Sequence, residues 1–195
     1  MAEQTLKEKT AKGLFWGGLS NGVQQVLNLV FGLMLARILD ASDYGMVGML
    51  AIFSAIASTI QESGFTAALT NQKEIRHEDY NAVFWFSTLT GVLFYLILFF
   101  CAPLIAQFYD KPELIGLSRI VFLSFLFGGF GIASNAYMFK TLMVKERAKI
   151  DIISLICSGT IGVLLALNGF AYYGLAIQTT AYIGIGSMLK FCYSP

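Results

Sequence analysis

The sequence predicts an all-α integral membrane protein of six transmembrane helices, on three observations. Hydrophobic residues make up 56% of the chain and charged residues 13%, against the roughly 25% charged content of a soluble globule. The apolar residues gather into six runs near the length a bilayer core requires, at about 14–36, 44–60, 82–108, 114–139, 152–167 and 172–190. The 13 Lys and Arg residues then divide unevenly between alternate ends of those runs, ten on one side and three on the other.

The first run follows a short charged arm, MAEQTLKEKTAKG, that carries Lys7, Lys9 and Lys12. It is longer than the apolar part of a secretory signal and no small-residue cleavage site follows, so it reads as an uncleaved span. Within it Asn21, Gln24, Gln25 and Asn28 fall on an arc of roughly 100° at helical spacing, which makes one face polar. Gly17 and Gly32 share that arc and leave room for a neighbouring helix or a ligand. Four amides on one face are either glue between helices or the wall of a water-filled pathway.

A loop at 37–43 leads into the second run, where Gly45, Gly48, Ala51, Ala55 and Ser58 offer small packing surfaces, and the two runs read as a hairpin. The stretch 61–81 mixes apolar residues with seven charged or titratable ones and reads as an interfacial loop, its His77 solvated. Asp110 to Glu113 reads as a tight turn between the third and fourth runs. KTLMVKERAKID, at 140–151, reads as the most basic loop, and Asn168–Gly169 turns the chain into the sixth run.

The ten-to-three bias puts the N-terminus, and the end of the sixth run, in the cytoplasm. Trp16 and Trp85 then lie near inner ends, and Tyr44, Tyr109, Tyr172 and Tyr173 near outer ends, as interfacial belts require. A net charge of +1 without a basic patch gives no sign of a nucleic-acid partner. No paired carboxylates, metal-ligand spacing or phosphate-binding glycine loop is present, so no catalytic residue, metal or cofactor is assigned. Cys101, Cys157 and Cys192 read as small hydrophobes.

Arg119 is the one full charge placed clearly inside a run, roughly 9 Å from its outer end. It either snorkels to the headgroups or faces a cavity and attracts an anion. Arg37, at the outer end of the first run, has the same two readings.

Three stretches carry a family resemblance: LARILDASDYGMVGML, ESGFTAALTNQKEIRHEDYNAVFW and FKTLMVKERAKID, in that order. Together they resemble the lipopolysaccharide, colanic-acid and teichuronic-acid exporter branch of the multidrug/oligosaccharidyl-lipid/polysaccharide exporter superfamily. The resemblance implies one half of a two-lobed flippase of twelve or more helices, in the bacterial inner membrane. It also implies a polyprenyl-diphosphate-linked oligosaccharide as substrate, with membrane lipids and a C-terminal half, or a second copy, as partners. Asn21, Gln24, Gln25 and Asn28 are the expected contacts for sugar or water, and Arg119 and Arg37 those for the diphosphate. Two rivals stand beside it: a cation-coupled drug exporter of the same superfamily, for which an acidic residue inside a span is expected and none is read, and a non-transporting membrane subunit.

Overall fold

The structure, a computed structural model, describes the backbone of residues 2–62 and 77–193, with side chains at 15–61 and 78–193. Six helices make up the described chain: α1 (Ala2–Ala36), α2 (Ala41–Glu62), α3 (His77–Phe108), α4 (Leu114–Lys140), α5 (Val144–Leu167) and α6 (Ala171–Phe191). Each expected run lies inside one of them. The interfacial loop expected at 61–81 falls largely on residues outside the described ones.

The larger boundary differences extend a helix into charged sequence. The arm before Leu14 is helical from Ala2, and α5 starts at Val144 rather than Ile152. Lys, Glu, Arg and Ala are strong helix formers, so the charge that looked like loop does not end a helix. The basic loop expected at 140–151 therefore shrinks to Thr141–Met143, and Lys145, Arg147, Lys149 and Asp151 become helical. Gln61, placed in the loop by its polarity, lies in the last turn of α2. It is only 4% exposed there and donates from Nε2 to the Phe125 carbonyl of α4 at 2.9 Å.

The turns explain the short connections. After α3, α4 and α5 a residue with positive φ reverses the chain: Asp110 (53°), Leu142 (55°) and Gly169 (84°). In each case the next backbone N–H reaches the carbonyl five residues back: Lys111 to Ala106, Met143 to Met138 and Phe170 to Leu165, at 3.0 Å. This closes helix ends whose carbonyls have no other partner. At the start of α2, the Asp43 carboxylate accepts the Asp40 backbone N–H at 3.1 Å, a reach-back from the third helical position.

Helix α6 is the centre of the bundle, between α4 and α5; α3 lies outside α4, and α1 outside α5. The expected hairpin of α1 and α2 is not how they pack: α1 lies on α5, while α2 leans on α4 and α6. Small residues make the central contacts close. A Cβ at Gly129 of α4 would sit 2.7 Å from the Ser87 carbonyl of α3, and one at Gly159 of α5 would sit 2.6 Å from the Phe31 ring of α1. In α6 Gly174, Ala176, Thr180, Gly184, Gly186 and Ser187 are all buried.

Five of the six helices, α1 to α5, are long and apolar enough to cross a membrane. Helix α6 is of similar length, and its central position lets neighbouring helices rather than lipid satisfy its polar groups. The Thr180 hydroxyl, for example, donates to the Ile120 carbonyl at 3.0 Å. The protein is a multi-pass, all-α membrane protein.

The two ends of the bundle differ. Buried Met46, Leu50, Ile105, Leu117 and Phe122 fill the end at which α2 and α4 begin, and Leu35 and Leu39 pack on Val163 and Ala166 beside them. The other end, where α1 and α5 begin and α6 finishes, holds a polar recess.

Candidate functional site: a charged recess between α1, α5 and α6

Gly17 of α1 places no side chain against α5, and Val144 fills the space 3.8 Å from where its Cβ would be. This contact aligns the first turns of α5 with the amide face of α1. The result is a cavity of about 440 Å³ lined by Ser20, Asn21 and Gln24 of α1, Arg147 and Asp151 of α5, and Tyr182 and Lys190 of α6. Lys145 lies at the α1–α5 junction, its ammonium 5.3 Å from the centre of the Trp16 ring.

Charge in the recess is arranged around one carboxylate. Asp151 Oδ1 lies 3.1 Å from the Lys190 ammonium, and Oδ2 lies 3.9 Å from Arg147 Nε, one helical turn earlier. The Asp151 and Lys190 side chains are 17% and 16% exposed, whereas Arg147 is 38% exposed. Two cations and one anion leave a single positive charge among the described residues of the recess. On α1 the Gln24 amide donates from Nε2 to the Ser20 hydroxyl at 2.9 Å, leaving its Oε1 available as an acceptor.

The structure brings two of the six expected site residues into this recess, Asn21 and Gln24. Gln25 and Asn28 are exposed on α1 outside it, and Gly32 beside them meets nothing within 4 Å of a built Cβ. Arg37 is exposed beyond the far end of α1. Arg119 is also exposed, with its guanidinium carbon 4.2 Å from the centre of the Phe99 ring of α3, away from the amides.

Sequence reading missed Arg147, Asp151, Tyr182 and Lys190. The six runs as bounded carry no carboxylate, but Asp151, one residue before the fifth run, lies two turns inside α5. The available signal was the four-residue spacing of Arg147 and Asp151 in a stretch rich in helix formers. A second recess of about 450 Å³ lies between α3, α4 and α6, lined by Phe84, Phe127, Phe130, Ser187, Met188, Phe191 and Cys192. Among the described residues its lining carries no charge, and the Ser187 hydroxyl is its one polar side chain.

A polysaccharide biosynthesis protein family profile matches residues 34–195, most of the chain. The chain belongs to this family. The family match takes in α2 to α6, with Arg147, Asp151 and Lys190, and begins after the amide face of α1. Among curated relatives, the chain is 27% identical over 142 residues to the lipopolysaccharide biosynthesis protein WzxC of Escherichia coli (strain K12), covering 73% of this chain and 28% of that protein. It is 27% identical over 154 residues to the teichuronic acid biosynthesis protein TuaB of Bacillus subtilis (strain 168), covering 79% and 32%. It is 29% identical over 175 residues to the succinoglycan biosynthesis transport protein ExoT of Rhizobium meliloti (strain 1021), covering 89% and 35%. The chain thus spans between 28% and 35% of the length of these relatives. No solved structure matches it.

Proposed function

We propose that this polysaccharide biosynthesis protein acts as the N-terminal six-helix lobe of a flippase. The flippase moves a polyprenyl-diphosphate-linked oligosaccharide from the cytoplasmic to the outer leaflet of the bacterial inner membrane. The observation that carries the reading is the Arg147–Asp151–Lys190 group beside the Asn21 and Gln24 amides, in an otherwise apolar bundle. Charged groups withdrawn into a membrane protein are costly and are kept where something polar must enter.

With the N-terminus cytoplasmic, the recess opens toward the leaflet on which lipid-linked sugars are assembled. Arg147 and Lys190 attract the diphosphate, Arg147 through a planar fork that matches phosphate oxygens. Asn21 and Gln24 exchange hydrogen bonds with sugar hydroxyls or trapped water, and Gln25 and Asn28 extend that polar surface along α1. The second wall of the pathway comes from a C-terminal lobe, or from a second copy. No bond of the substrate is broken, and the lipid tail stays in the bilayer while the head crosses.

The drug-exporter rival is weakened by charge. Asp151 supplies the carboxylate such a pump requires, but two cations already face it, and the net positive recess repels a cationic drug. The test is reconstitution with a fluorescent polyprenyl-diphosphate oligosaccharide. The chain alone is expected to stay at protein-free background, and co-expression with a C-terminal segment of the length found in relatives is expected to give translocation. Translocation by the chain alone contradicts the need for a C-terminal lobe and makes a second copy the source of the second wall.

A further inference from the structure

The recess poses an electrostatic question of its own. A site built only to attract a diphosphate gains nothing from a carboxylate that cancels one of its two cations. A simple tie between α5 and α6, in turn, needs Asp151 and Lys190 but not Arg147 on the same carboxylate. We infer that Asp151 is an internal counter-ion: it occupies the place of the substrate's anionic group in the empty recess and is displaced from Lys190 when a diphosphate binds. The inference rests on the reading of the recess as a diphosphate site and adds the device that sets its affinity.

The geometry supports an ordered exchange. Arg147 is the more exposed cation and holds Asp151 only at 3.9 Å, so an incoming anion meets it first. Lys190 is nearly enclosed and held at 3.1 Å, so its ammonium becomes available only as Asp151 gives way. An enclosed ammonium without an anion beside it is unfavourable, and Asp151 relieves that cost whenever the substrate is absent. Among the described residues no other charged side chain lines the recess: α1 contributes Ser20, Asn21 and Gln24, and α6 adds the Tyr182 phenol. Because binding an anion requires breaking an existing pair, the carboxylate weakens capture and favours release, which a transporter needs at the end of its cycle.

The experiment measures binding of inorganic pyrophosphate, and separately of geranyl diphosphate, to the 195-residue chain in lipid nanodiscs. Asp151→Asn is expected to bind both about tenfold more tightly, the order set by one unit charge removed from a partly enclosed site. Lys190→Gln and Arg147→Gln are expected to bind more weakly than the unaltered chain. In the unaltered chain, the carboxylate carbon resonance of Asp151, assigned by its loss in Asp151→Glu, is expected to shift on adding pyrophosphate. This measurement stands even if Asp151→Asn fails to fold. Unchanged or weaker binding by a folded Asp151→Asn, or an unmoved resonance at saturating pyrophosphate, overturns the counter-ion inference while leaving the anion site in place. Failure of the unaltered chain and all variants to bind either ligand overturns the diphosphate reading, and the inference with it.

Discussion

Lys190, in the last turn of α6, lies 3.1 Å from Asp151, two turns into α5, and so joins two helices across the polar recess. Removing the ammonium leaves Asp151 with only the longer contact to Arg147. Lys190→Ala is expected to cost about 2 kcal/mol, below the roughly 3–5 kcal/mol of a fully buried pair because both side chains retain some exposure. Lys190→Arg should recover most of it. The midpoint of denaturant-induced loss of helicity in mixed micelles checks both.

The ten-to-three charge asymmetry predicts a topology that labelling can test. Single cysteines at Lys111 and Lys145 in a chain freed of Cys101, Cys157 and Cys192 should be modified from opposite faces of the membrane, Lys111 by an impermeant reagent added outside. Modification of the Lys145 position from outside would reverse the orientation of the recess.

The amides of α1 divide into two groups that mutation should separate. Asn21→Leu with Gln24→Leu removes polar groups from the recess and should reduce export by the full transporter while its membrane level stays normal, because Leu inserts more favourably than an amide. Gln25→Leu with Asn28→Leu alters the exposed polar surface and should reduce co-purification with a C-terminal lobe if interhelical amide bonds, worth about 0.6 to 2 kcal/mol each, are made there. Immunoblotting of membranes beside the export assay distinguishes the two.

Arg119 carries its guanidinium over Phe99, on the α3 side of α4 and away from the amides. That contact keeps Arg119 apart from the recess, and of its two readings we propose the snorkelling one. Arg119→Ala is therefore expected to retain at least half of the export of the unaltered transporter, and Arg147→Ala much less, in the same polysaccharide-yield assay.

The membrane class and the order of helices were legible because hydropathy is a local property, and Asp110–Pro112 and Asn168–Gly169 mark turns by residue type alone. The start of α5 was not, because Lys145, Arg147 and Lys149 were read by their charge although they also favour helix. The divergence of α1 from α2 was invisible for a different reason. It depends on which helix fits Gly17 and the close approach of Phe31 to Gly159, and neither is encoded in a span's own periodicity. The recess combines both difficulties, since Asp151 and Lys190 are far apart in sequence and meet only once α5 and α6 have packed. The small residues of α6 were the overlooked clue: Gly174, Gly184 and Gly186 suit a helix packed closely on several neighbours.

Photocrosslinking from within the recess tests the central claim most directly. With p-benzoylphenylalanine at Tyr182, irradiation of membranes from cells that make the polysaccharide should link the protein to a lipid-linked oligosaccharide, detected by radiolabelled sugar, and Lys190→Gln should suppress the product. The same probe at Phe100, exposed on α3, should give none. Equal labelling at Tyr182 and Phe100, or labelling at Tyr182 unaffected by Lys190→Gln, would contradict a diphosphate site between α1, α5 and α6.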